Sequence, residues 1–189
     1  YVQKEMAEAA SAAYITALDG DELPPFHVAS QNFSYLARLE QWQVTENYHA
    51  KMRSAYVDQL SNQELTALQV MQARVMIGLE KPADATSLLE DVLAADPTNG
   101  HALISLANYY RQQRDYERAN LHFQWAAKEP EVALQALTSN AQMLAEQEDW
   151  QPAIELLVKA RDIAPAAARQ TIEKNILAIE NALNVTELF

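Results

Sequence analysis

The chain has no cysteine, only three glycines, few basic residues and no long apolar run. Without cysteine there is neither a disulfide nor thiol chemistry, though this leaves the compartment open. A membrane-crossing helix needs about 18 or more consecutive apolar residues, and none are present. Scarce glycine and the absence of alternating β-type runs point away from sheets and leave an all-helical expectation. Lys and Arg number 14 against 26 Asp and Glu, for a net charge of −12. An acidic surface repels phosphate backbones and anionic lipid, which argues against nucleic acid and membrane partners. The chain opens at Tyr1 rather than Met and shows no basic-then-apolar leader. That reads as a processed chain or a piece of a longer one.

What the chain does have is a period. Ala85, Ala119 and Ala153 are evenly spaced, each inside a similar apolar pattern. From Gly100 the unit runs Leu106, Ala107, Tyr110, Tyr116, Ala119, Phe123, Ala126 and Pro130. From Leu134 it runs Ala141, Leu144, Trp150, Ala153, Leu157, Ala160 and Pro165. From Thr66 it is looser, with Ala73, Met76, Ala85, Leu89 and Pro97. Residues three and four apart share a helix face, so each unit reads as two helices with apolar stripes facing each other. Small residues at the eighth and twentieth places let the helices approach. Large ones at the eleventh, seventeenth and twenty-fourth fill the space beside them. Asp115 and Asp149 stand where N-caps of second helices would. Pro82 and Pro152 fall in first turns, where a missing N–H is harmless. Asp96-Pro97-Thr98 and Ala164-Pro165 end second helices.

This pattern, with its period of about 34 residues, resembles the tetratricopeptide repeat family. Ala107 stands in place of the family's glycine, and Pro130 comes one place early. The resemblance implies an all-α fold, an α-α superhelix of antiparallel helix pairs closed by a C-terminal capping helix. A degenerate fourth repeat is expected as well. Leu36-Ala37-Arg38-Leu39-Glu40-Gln41-Trp42-Gln43 echoes Leu144-Ala145-Glu146-Gln147-Glu148-Asp149-Trp150-Gln151, and the offset exceeds three periods by six positions. The excess is expected around Tyr56–Gln63. Its second helix would carry Val44, Tyr48, Met52, Ala55 and Tyr56. Thr45 and His49 replace the usual Ala and aromatic, which puts its packing in question. The organisation expected is an N-terminal helix and Pro/acidic loop over 1–25, a degenerate repeat over 26–65, and repeats over 66–99, 100–133 and 134–168. A capping helix and tail over 169–189, striped by Ile172, Ile176, Ile179 and Leu183, completes one continuous solenoid.

Catalytic signatures are missing. There is no phosphate loop, dinucleotide fingerprint or serine elbow. His27, His49, His101 and His122 form no closed ligand set with acidic residues, so neither a metal nor another cofactor is expected. Carboxylates such as Glu90-Asp91 read as surface charge. The chain is therefore expected not to be an enzyme.

In the family resembled, first helices line a concave groove. In this register the groove would carry Ala67, Val70, Met71, Arg74 and Ile77, then His101, Ile104, Ser105, Asn108, Arg111 and Gln112, then Gln135, Thr138, Ser139, Gln142 and Glu146. Asn and Arg can bond the backbone or carboxylate of an extended peptide. The candidate binding residues are Met71, Arg74, His101, Ile104, Asn108 and Arg111. Val70, Gln135 and Ser139 stand where some relatives place the cations of a clamp for chaperone tails, so that role is not expected. Residues 100–133 carry four basic and four acidic groups, the one neutral stretch, with Arg111, Arg114 and Arg118 close together. These arginines read as a solvated face paired with Asp115 and Glu117. The expected partner is a protein or peptide, and the expected role is a scaffold within a larger bacterial assembly or biogenesis factor, in cytoplasm or periplasm. The alternatives are a self-associating spacer, forming a homo-oligomer through its terminal helices, and a regulatory appendage of an enzyme elsewhere in a longer chain.

Overall fold

The computed structural model describes residues 2–186, and side chains for residues 3–183. Among the described residues there are ten α-helices and no strands. Two compact units divide the chain, Tyr1–Ala94 and Ala95–Phe189.

The first unit holds α1 (Val2–Leu18), α2 (Phe26–Arg38), α3 (Trp42–Tyr56) and α4 (Asn62–Gly78), with α5 (Pro82–Ala95) reaching its boundary. Ala29, Phe33, Leu36 and Ala37 form the buried stripe of α2, and Thr45, Tyr48, His49, Met52 and Tyr56 that of α3. Helix α1 packs against both. The Tyr14 ring stands edge-on to Tyr35 at 6.4 Å and tilted against Tyr48 at 5.8 Å. The buried Tyr48 hydroxyl donates to the Ala29 carbonyl, and burial pushes its pKa up to about 12. The link between α1 and α2 is tied to α3 by Lys51 on Asp19 and by the Tyr56 hydroxyl on the Pro24 carbonyl.

The two polar residues that put α3 in question are wholly accommodated. Thr45 is fully buried, and its hydroxyl donates to the Gln41 carbonyl at 3.1 Å. His49 is also buried, with Nε2 at 3.0 Å from the Leu68 carbonyl of α4. A buried polar group costs little once bonded.

The second unit holds α6 (Gly100–Gln112), α7 (Tyr116–Ala126), α8 (Ala133–Glu146), α9 (Trp150–Ile163) and α10 (Ala166–Thr186). Helix α6 packs on α7, α8 on α9, and α10 covers α9. Ala107, Ala119, Phe123 and Met143 form one buried cluster, flanked by Tyr110 and Tyr116. Ala141, Leu157, Ala160, Ala164, Ile172 and Ile176 form another. Ile172 and Ile176 thus mark the inner face of the last helix, while Leu177 off that stripe is 57% exposed. Asn140 of α8 donates to Asn120 of α7 at 2.8 Å. Asp115 caps α7, its carboxylate accepting from the Arg118 N–H at 3.1 Å. Asp149 occupies the N-cap of α9 without a side-chain cap bond, unlike the expectation.

Four non-glycine residues adopt the left-handed conformation: Glu40, Glu80, Arg114 and Glu148, with φ of 54°, 59°, 59° and 62°. The last three recur at the period of the repeat, and each follows the end of a first helix. A Cβ in this conformation costs about 1–2 kcal/mol. The turn recovers an otherwise orphaned carbonyl: Lys81 N–H bonds Met76 O at 2.8 Å, and Asp115 and Asp149 N–H bond Tyr110 O and Leu144 O at 2.9 Å. The step from Glu40 to Glu80 is six positions longer than the period, and an additional first turn of α4 takes up most of the excess. That turn, Asn62–Leu65, begins at a capping box in which Ser61 and Glu64 bond each other's backbone N–H.

Gly78 closes α4 directly against the Trp42 indole, and a Cβ there would overlap the ring. Gly78→Ala is expected to lower stability by about 1–3 kcal/mol, read by urea unfolding, since a ring packed on backbone has little room to move. Glu148→Gly is expected to raise stability by about 0.5–1 kcal/mol, because the left-handed strain exceeds glycine's extra entropy.

Candidate functional site

The six candidate binding residues divide between the units. Met71 and Arg74 lie on α4 in the first. His101, Ile104, Asn108 and Arg111 lie on α6 in the second. Their environments differ widely.

On α4, Met71 belongs to the hydrophobic core with Phe33, Tyr48 and Val75. Arg74 is half-buried, its guanidinium 5.5 Å from the Phe33 ring centre. Burial pulls its pKa below the usual arginine value, and the ring face compensates part of the lost hydration. Arg74 is therefore a packed cation.

Helix α6 starts at Asn99, whose side chain accepts from the Ala102 N–H at 3.0 Å. Its one exposed residue in the first two turns is His101. Ile104 and Ser105 are buried, and the Ser105 hydroxyl returns to the His101 carbonyl. One and two turns further on, Asn108 and Arg111 are half-buried. Among the described residues no side-chain hydrogen bond engages Asn108. Arg111 reaches α8 and grips Glu146 with both Nε, at 3.1 Å, and a terminal nitrogen. Gln142, one turn before Glu146, donates to the same carboxylate at 3.2 Å. The register puts both ends of this ion pair on the groove face. It does not pair them, because pairing needs the spacing between α6 and α8.

A second feature is hardly legible in the sequence. A cleft of about 610 Å³ opens in the first unit beside α3 and α4. Its apolar floor includes Val75, Met76 and Leu79, and its rim carries Glu46, Arg53, Lys81 and Asp84. His49 lines it, at the repeat position where Phe123 and Leu157 fill the core of the second unit. That substitution is the one signal of the cleft in the sequence.

Among the described residues no group of three or more His, Asp and Glu could hold a metal ion. No helix among them is long and apolar enough to cross a membrane.

No protein-family model and no curated protein matches the chain. Among solved structures it is similar to YrrB, a TPR protein with an unusual peptide-binding site. That match covers 90% of this chain and 84% of YrrB, with a TM-score of 0.51 and 20% identity. At that identity the likeness is one of fold. The chain has a tetratricopeptide-like, all-α helical-repeat fold.

His49 offers a direct test of how the first unit is held. The carbonyl facing Nε2 only accepts, so the neutral ring carries its proton there. Burial lowers the pKa of His49, opposed by that bond; Arg53 lowers it further and Glu46 raises it. The unfolded chain then takes up a proton before the folded one does. Stability is full above the unfolded value of about 6.5 and falls as pH drops from there toward the folded pKa. Urea midpoints between about pH 7.5 and 5.5 are expected to fall more steeply in the wild type than in His49→Leu.

Proposed function

We propose that the protein is a non-catalytic scaffold that binds a peptide or protein segment across the first-helix face of α6 and α8. The observation carrying this reading is the polar surface of that face. It combines exposed His101, the uncommitted amide of Asn108, and an Arg111 bonded across to Glu146. An amide can accept and donate to an extended backbone at once, and a bidentate arginine can exchange one carboxylate for another. The peptide-binding site of YrrB, on a similar fold, supports the reading by analogy. Ile104 acts beneath this face by packing, while Met71 and Arg74 serve the packing of the first unit. The natural setting proposed is a larger bacterial assembly or biogenesis factor. Self-association through the terminal helices is the weaker reading, because α1 packs Ala7, Tyr14 and Leu18 into its own unit and α10 packs Ile172 and Ile176 against α9.

Arg74→Glu would place a carboxylate against the Phe33 ring, so it tests packing as much as binding. The cleaner test is Asn108→Ala with Arg111→Gln. A partner captured from the source organism by the wild type is expected to bind this variant about tenfold more weakly, with helicity unchanged. Equal binding would remove the site from this face.

A further inference from the structure

We propose that the cleft beside α3 and α4 is a binding site in its own right, for a charge-balanced peptide segment in which one basic and one acidic side chain flank an apolar one. Its volume of about 610 Å³ lies within the range of ligand-binding pockets, roughly 300–1,000 Å³.

The cleft wall carries a polar group that the fold does not use up. His49 is 4% exposed and lines the cleft. Nε2 donates to the Leu68 carbonyl, so the neutral ring keeps its lone pair on Nδ1. Among the described residues no hydrogen bond engages that second nitrogen. The equivalent places on α5, α7 and α9 hold Leu89, Phe123 and Leu157, all buried. Packing alone is therefore served by an apolar residue there. A buried imidazole with a bare acceptor instead offers a partner one hydrogen bond.

Charges of both signs stand around this acceptor. Glu46 and Arg53 lie on the same face of α3, one turn before and one turn after His49. Burial is the main cause of the lowered His49 pKa, but Arg53 lowers it too and Glu46 raises it, so both charges are felt at the ring. Lys81, just before α5, and Asp84, in its first turn, add one charge of each sign to the lining. Among the described residues no ion pair engages any of the four. Glu46 accepts only from Gln43, at 2.8 Å. Val75, Met76 and Leu79 supply an apolar floor.

This arrangement selects the occupant. The lining is balanced, Glu46 and Asp84 against Arg53 and Lys81, in a chain of net charge −12. A wholly acidic segment is opposed by Glu46 and Asp84, and by Asp58 and Glu80, each next in the chain to a lining residue. A wholly basic one is opposed by Arg53 and Lys81. A segment with one charge of each sign can set its cation toward Glu46 and its carboxylate toward Arg53, and is opposed by neither. Those two residues are roughly 10 Å apart along the helix axis. That exceeds the reach between the ammonium and carboxylate of a free amino acid, so the complement is a peptide. Its apolar side chain covers the floor, and a backbone N–H donates to His49 Nδ1.

The test uses the full chain and a capped fluorescent peptide, Lys-Ala-Leu-Ala-Glu, beside three forms whose charged residues are both Lys, both Glu or both Gln. Anisotropy is expected to show saturable binding of the mixed peptide, about tenfold tighter than any of the other three. The imidazole Cε1–H resonance that His49→Leu removes is expected to move as the mixed peptide is added. Glu46→Gln with Arg53→Gln is expected to weaken binding about tenfold with circular dichroism unchanged, since neither side chain is buried. Asn108→Ala with Arg111→Gln should bind this peptide as the wild type does, separating the cleft from the α6 face. Absence of saturable binding, equal or tighter binding of any of the other three peptides, undiminished binding by the Glu46/Arg53 variant, or an unmoved His49 resonance would each overturn the proposal.

Discussion

In the α6–α7 and α8–α9 pairs, the packing depends on the contact between small residues at the centre of each. Ala107 and Ala119 have no exposed surface, nor do Ala141 and Ala153. A methyl on each side lets two helix backbones come close, and the neighbouring large residues then close the space without voids. Phe123, Met143 and Leu157 are buried beside these alanines. Left-handed turns at Arg114 and Glu148 reverse the chain between the two helices of each pair. The chain accepts that strain without glycine, since the turn carbonyls are bonded.

In the α2–α3 pair the small residues are missing, whereas Ala73 and Ala85 of α4 and α5 are present and fully buried. In the register set by Glu40, the alanine positions hold Phe33 and Thr45, and the aromatic position holds His49. All three are buried. The bulk of Phe33 supplies the ring on which Arg74 lies, and Thr45 and His49 each spend a polar atom on a nearby carbonyl. The cleft lined by His49 lies beside the same helices. Packing by substitution of this sort keeps a helical repeat intact while giving it local character. Here that includes a buried titratable group in contact with an open cleft.

On α6 and α8 the groups of the face proposed for binding are amide, imidazole and a paired guanidinium, suited to a backbone or a carboxylate.

Sequence alone determined the helical class, the repeat period, and the inner faces of the helices. These depend on residue size and spacing along one chain, so Ala107, Ala119, Phe123, Ile172 and Ile176 could be assigned before any coordinates. It also flagged Thr45, His49 and the six extra positions as departures. It did not determine which polar groups remain available. Arg74, Asn108 and Arg111 occupy equivalent-looking faces, yet one is packed on a ring, one is uncommitted and one is paired with Glu146. Leu121 and Trp125 are exposed, whereas Ile104, assigned to the groove, is buried. Those outcomes were decided by tertiary structure, because exposure and pairing depend on what a neighbouring helix brings within a few ångströms, and a register along one chain does not contain that distance.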